Sequence, residues 1–258
     1  MFLLINNKLI KMSKFHKLRD IFEDLVIIEE EIYKFLFPSQ YKAKKTYSKI
    51  KGYHPKIIEL YNNLFDIELT FPRLKFGGYF GEYCGKKDKI RFGFIHPSSY
   101  KPSDFRKKKK IGILEDSIDM LCEEEAHRYH AHVNPYSPYH SNSTTYKQAK
   151  KYKNYGLCWT TFTEGVARYA KTAIFKEIGF DNLYELWEPL SYKILKIGQY
   201  HNHQVLDPDH VFSFLRNKSL DYFREFVHKN PFEAIECVYP DCKNIKNLDD
   251  IVQTILYI

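Results

Sequence analysis

Residues 111–133, IGILEDSIDMLCEEEAHRYHAHV, decide how the rest of the chain is read. Leu114, Ile118, Leu121 and Cys122 recur at the three- and four-residue spacing of a helix with a buried face, and Asn134-Pro135 stops it. Along the same helix Asp119, Glu123, His127 and His130 follow one another at steps of four, four and three, so they share one face, and Glu124 sits beside it. Burying several carboxylates is costly unless a cation or a hydrogen-bond network compensates them. A bound metal ion would resolve that cost.

Upstream of this helix, residues 13–37 carry Phe15, Leu18, Phe22, Leu25 and Ile32 at helical spacing, and Pro38 ends the pattern. The lysine-rich stretch 40–52 reads as a connector, and residues 55–65 as a short helix opened by Pro55. Residues 67–71 and 89–95 alternate in the period of two that marks half-buried strands. Residues 77–83 look like a further strand and 85–88 like a turn, so three antiparallel strands are the simplest account.

Downstream of the helix, residues 136–155 read as a long polar loop of the kind that often carries function. A helix over 159–178 closed by Gly179 follows, then helices near 182–200, 208–228 and 249–257. The expected fold is α+β: a small antiparallel sheet, then a metal-binding helix pair, then a helical C-terminal half. Residues 1–65 would form an N-terminal helical region and residues 66–258 the domain that holds the site.

The segment Glu123-Glu124-Glu125-Ala126-His127 resembles the metal helix of zincin metallopeptidases, whose signature is His-Glu-x-x-His, with Glu123 in place of the first histidine. Thr163-Glu164-Gly165-Val166-Ala167 is similar to the Glu-Gly-x-Ala helix that supplies the third ligand in the gluzincin branch. The resemblance covers roughly residues 65–230, with strand, turn, strand and metal helix in matching order. It implies a metal, most simply Zn²⁺, held by Glu123, His127 and Glu164, with Glu124 as general base. It also implies that the strand at residues 90–95 binds an extended peptide or protein substrate. Gly165, small and next to Glu164, would let the two helices approach.

A set of two carboxylates and one imidazole makes its metal less Lewis acidic than one held by two histidines. Three readings stay open: a hydrolase with an unusual ligand set, a site for another metal such as Mn or Fe, and a scaffold of the same fold without catalysis. His130 shares the face of His127 and is the reserve ligand, although a partly exposed histidine bonded to a carboxylate is its plainer reading, and His132 points elsewhere. Glu124-x-x-His127 and Glu225-x-x-His228, with Glu164 and Glu30 or Glu31, would also suit a di-iron carboxylate bundle, a reading opposed by the strand-like residues 67–95. Arg168, Tyr200, His201, His203 and His210 could supply a donor to an oxyanion, but no spacing selects one, and Arg168 would more simply pair with Glu164 or Asp119.

Forty Lys and Arg against 32 Asp and Glu give a net charge of +8, which allows a nucleic-acid partner. Lysine is spread along the chain, however, and the one dense run, residues 107–110, reads as a solvated loop. No apolar run is long enough to span a membrane, and Met1 to Ile5 is too short for a signal-peptide core. Five cysteines without framework spacing imply reduced thiols and a cytoplasmic location, with Cys237 and Cys242 in a loop near Pro240. Neither a phosphate-binding glycine loop nor a serine nucleophile motif is present, and oligomeric state is left open.

Overall fold

The computed structural model describes residues 2–5, 8–11, 38–76, 81–92, 113–152, 154–185 and 206–240. The chain divides into two compact units, Met1–Ser48 and Lys49–Ile258. In the first, β1 (Phe2–Ile5) pairs antiparallel with β2 (Lys8–Lys11), with Phe2 opposite Lys11 and Ile5 opposite Lys8. The helix expected over 13–37 lies outside the described residues.

Helix α1 (Pro38–Phe65) runs from the first unit into the second. It absorbs residues 40–52, expected to be a connector: the lysines there are good helix formers, and Pro55 sits inside the helix at the cost of one main-chain hydrogen bond. In the second unit Ile57, Ile58, Tyr61 and Phe65 turn one buried stripe toward the core. Tyr61 donates to the Cys122 carbonyl at 2.8 Å, and Tyr129 donates to Asn62 Oδ1 at 2.6 Å, so α1 is fixed to the helix that carries the site.

The sheet consists of β3 (Arg73–Phe76), β4 (Glu82–Cys84) and β5 (Lys89–Phe92) in the order β3-β5-β4. β4 and β5 are antiparallel, as the alternation and the turn between them predict, and Asp88 closes that turn in the left-handed conformation (φ 40°). β3 pairs with β5 in parallel, so the sheet is mixed. The first strand also lies later than residues 67–71. There the Leu69 N–H donates to Asn62 Oδ1 at 3.1 Å, and the Thr70 carbonyl accepts from Arg128 at 2.5 Å, so this backbone is spent on side chains of two helices and not on a ladder.

Next come α2 (Ile113–Val133), α3 (Thr144–Lys150) and α4 (Tyr155–Ile174), followed by α5 (Pro208–Arg216), α6 (Leu220–Phe226) and α7 (Pro231–Val238). The α+β arrangement, a small sheet followed by a helix pair and a helical C-terminal half, is the one expected. Its details differ in several places. The long loop contains α3 and a 3-10 turn at Pro138–His140. The helix expected over 208–228 is broken, because Ser219 accepts from the Tyr222 N–H and caps a new helix. Cys237 belongs to the last turn of α7 and not to a loop. Residues 181–185 are helical as expected, and the remainder of that helix and the one near 249–257 lie outside the described residues.

Helices α2 and α4 pack side by side, burying Cys122, Ala126, Phe162, Val166 and Ala170 completely. The helix expected over 159–178 is displaced: α4 spans Tyr155–Ile174, and Gly179, with a left-handed φ of 82°, closes the turn that follows it. Gly165 has a different neighbour from the one expected: a Cβ there would lie 2.3 Å from the Val211 side chain and 2.8 Å from the Pro208 carbonyl oxygen. Its smallness admits α5, not α2. Among the described residues no helix is long and apolar enough to cross a membrane.

Candidate metal centre

Consecutive helix residues turn by roughly 100°, so the three successive glutamates of α2 face three different surroundings. Glu123 faces α4. One oxygen of Glu123, one of Glu164 and a ring nitrogen of His127 all lie within 4.8 Å of one another. His127 Nε2 and Glu164 Oε1 are 3.6 Å apart, close to the roughly 3.4 Å that separates two ligands of one tetrahedral ion bound at about 2.1 Å. Among the described residues this is the group of histidine, cysteine and carboxylate side chains able to hold a metal. Oxygen and imidazole donors suit Zn²⁺, and equally Mn²⁺ or Fe²⁺.

The same face carries a cation of the protein's own. Lys171, seven residues after Glu164 on α4, is completely buried, with its ammonium 3.1 Å from Asp119 and also paired with Glu123. Burial pushes the Glu123 carboxyl up, but Lys171 first and His127 next outweigh it and hold the group down at about 2. Glu123 is therefore an anion at neutral pH.

Glu124 points away from Lys171 into a cleft of about 520 Å³ that also reaches Tyr83, His127, Tyr139, Trp159 and Glu164. It packs on Gly81, where a Cβ would stand 2.2 Å from its Oε1. Burial, and then the neighbouring charges of Glu123 and Glu164, push its carboxyl up to about 8. It is thus a proton-binding group beside the candidate ligands.

Glu125 faces the opposite side of α2 and is fully buried. His54 Nε2 approaches it at 2.5 Å, and Arg128 donates to it at 3.3 Å. Arg128, itself only 1% exposed, also donates to Asp88 at 2.7 and 3.0 Å and to the Thr70 carbonyl. This buried network ties the sheet and α1 to the back of the helix whose front holds the site.

His130 is no reserve ligand. It is fully buried, lies flat on Trp159 with ring centres 5.2 Å apart, and its Nδ1 is 3.0 Å from the Thr163 hydroxyl. Burial first, and then His127, push its imidazole down to about 3, so it is neutral. Its neighbour is a hydroxyl and not the carboxylate that its plainer reading supposes. His127 shares that hydroxyl, with Nδ1 3.4 Å away, so Thr163 lies between the two rings. His132 does point elsewhere, toward the Tyr83 hydroxyl and the Tyr139 ring.

Two further expectations change. β5, which contains Ile90, is the central strand with both edges paired, so it has no edge for an extended chain, and residues 93–95 lie outside the described residues. β4 is the outer strand, and its Tyr83 lines the cleft beside Glu124. Arg168 pairs with Asp209 of α5 and not with Glu164 or Asp119. His210 lies 2.5 Å from the Tyr239 hydroxyl, and His228 Nδ1 lies 3.0 Å from the Val133 carbonyl oxygen, while Tyr200, His201, His203, Glu30, Glu31, Cys242 and residues 107–110 are outside the described residues. Neither Glu225 nor His228 joins the carboxylate cluster that the di-iron reading needs.

Sequence reasoning passed over Lys171, Glu125 and His54. Lys171 stands among Ala170, Thr172, Ala173 and Ile174, and a lone lysine in an apolar stretch at heptad distance from Glu164 is the signal that could have found it. Compared with protein-family models, curated proteins and solved structures, the chain matches none.

Proposed function

We propose that the chain is a metal-dependent hydrolase of the zincin type acting on peptide bonds, with Glu123, His127 and Glu164 holding the metal and Glu124 as general base. The observation that carries this reading is the three-donor cluster with a fourth carboxyl, Glu124, beside it in an open cleft. The donors suit a divalent ion chemically: a half-buried pair of carboxylates and an imidazole within ligand distance is costly without a cation.

When bound, a divalent ion at these donors supplies Lewis acidity to the scissile carbonyl and to the attacking water. The chain supplies the rest. Glu124 accepts a proton from the water at its carboxylate and hands it to the leaving amine. A cation nearby lowers the pKa of Glu124 from about 8 and so favours the base form. The outer strand β4 offers main-chain groups to an extended substrate, and the Tyr139 and Trp159 rings give the cleft apolar walls for its side chains.

The test is Glu124→Gln. Removing a general base costs about 100-fold or more in kcat. The expected result is unchanged metal content, measured by elemental analysis, and loss of hydrolysis of a peptide library read by mass spectrometry. Full peptidase activity in that variant refutes the assigned role.

One observation favours a second reading, a metal-free binding protein on the same scaffold: Lys171 already gives Glu123 and Asp119 a cation. Protein that takes up no metal on titration would defeat the hydrolase reading, and salt-dependent binding of that metal-free protein to DNA or RNA would support the second.

A further inference from the structure

A buried lysine paired with two carboxylates is not needed by the mechanism above, and one of those carboxylates, Glu123, is a candidate metal ligand. The Lys171 ammonium is completely buried and bridges Asp119 and Glu123, two positions one turn apart on α2. Glu123 is also the nearest of those groups to His127 and Glu164. Asp119 and Glu123 therefore share one internal cation before any ion arrives.

We infer that Lys171 is the resident counter-cation of the carboxylate cluster and competes with a divalent metal ion for Glu123, so that it sets how tightly the site binds metal. The inference rests on the metal-site reading for its ligands and adds to it a positioning residue with a definite sign. By pairing with one oxygen of Glu123, Lys171 leaves the other for the metal and holds the carboxylate toward α4. By its charge, it repels an incoming cation and stabilises the empty site. At a separation of a few ångströms in a partly buried environment water screens a unit charge weakly, so both effects should be measurable.

Two consequences distinguish this role from plain core packing. Without the charge, the empty protein should be less stable, because Asp119 and Glu123 lose the buried cation they share. The same loss should make the site bind metal more tightly, because the ion then takes over the compensation. A lysine that only filled space would lower stability and leave metal affinity unchanged or weaker.

The experiment is a competition titration of Zn²⁺ and Mn²⁺ against a chromophoric chelator, together with Tm measured with chelator and with metal, on the full chain and on Lys171→Met. The expected result is a lower chelated Tm for Lys171→Met, a larger rise of Tm on adding metal, and metal affinity at least about tenfold higher than in the unaltered chain. Lys171→Arg keeps the charge and should keep the original affinity. If Lys171→Met does not fold, Lys171→Gln removes the charge but keeps a donor to Glu123 and carries the same expectation. Equal or weaker metal binding by the charge-removing variant overturns the inference. Metal bound by the unaltered chain and no more tightly by the variant refutes the role of Lys171 alone. Metal bound only by the variant refutes the metal reading of the native site and supports Lys171 as the group that displaces it. No metal bound by either protein refutes both.

Discussion

Glu124 sets activity against stability within one side chain. Its carboxyl is raised to about 8 in the folded chain by burial and by Glu123 and Glu164, against an ordinary value near 4.5. Between those values the folded state binds more protons than the unfolded one, so stability falls as pH rises. Below about pH 4 the penalty is absent, and above about pH 8 it is complete. Metal-free Glu124→Gln should therefore match the unaltered chain in chemical denaturation at pH 4.5 and exceed it in stability at pH 8, whereas the proposed hydrolysis should be lost. Equal stability at both pH values would show that the carboxyl is not held neutral. At Arg128 the direction is opposite. It is almost fully buried and serves Glu125, Asp88 and the Thr70 carbonyl, so Arg128→Leu leaves buried Glu125 with His54 as its remaining partner and the Thr70 carbonyl without its donor, and should cost about 3–5 kcal/mol in urea denaturation.

At the scale of elements, the glycines of the site region show which approaches are tight. Gly165→Ala puts a methyl group against Val211 and the Pro208 carbonyl, so α5 must shift, and a loss of about 1–3 kcal/mol is expected by thermal or urea unfolding. Alanine at Gly156, where a Cβ meets nothing within 4 Å, is the control and should lose no stability. What was legible in the sequence at this scale was periodicity. α2 was readable because Leu114, Ile118, Leu121 and Cys122 recur on one face and Asn134-Pro135 stops it, and its polar stripe does turn toward the helix bearing Glu164. β3 was not, because the Leu69 N–H and the Thr70 carbonyl bond to side chains distant in sequence, and an alternating pattern carries no record of such partners. Lys171 was missed for a similar reason: its two partners lie on another helix, and only packing brings them together. The stop at Ser219 was a local signal, a capping serine after the polar run Arg216-Asn217-Lys218, and could have been read.

Across the whole molecule, the described parts of the site, from His54 behind α2 to α5 and α7, belong to the unit Lys49–Ile258. A chain beginning at Pro38, which keeps α1 whole, should therefore retain the metal content and the cooperative unfolding of the full chain, measured by elemental analysis and calorimetry. The three successive glutamates of α2 bear on how this unit can move. Glu123 is tied to Lys171 of α4, Glu124 packs against Gly81 just before β4, and Glu125 is tied to His54 of α1 and to Arg128. Anchors in three directions around one axis act like keys on a shaft: α2 can neither roll nor slide without breaking a buried contact. If the proposed substrate needs a wider cleft, the Pro138–His140 turn that carries Tyr139 is the wall expected to yield, with α2 as the fixed side against which it opens.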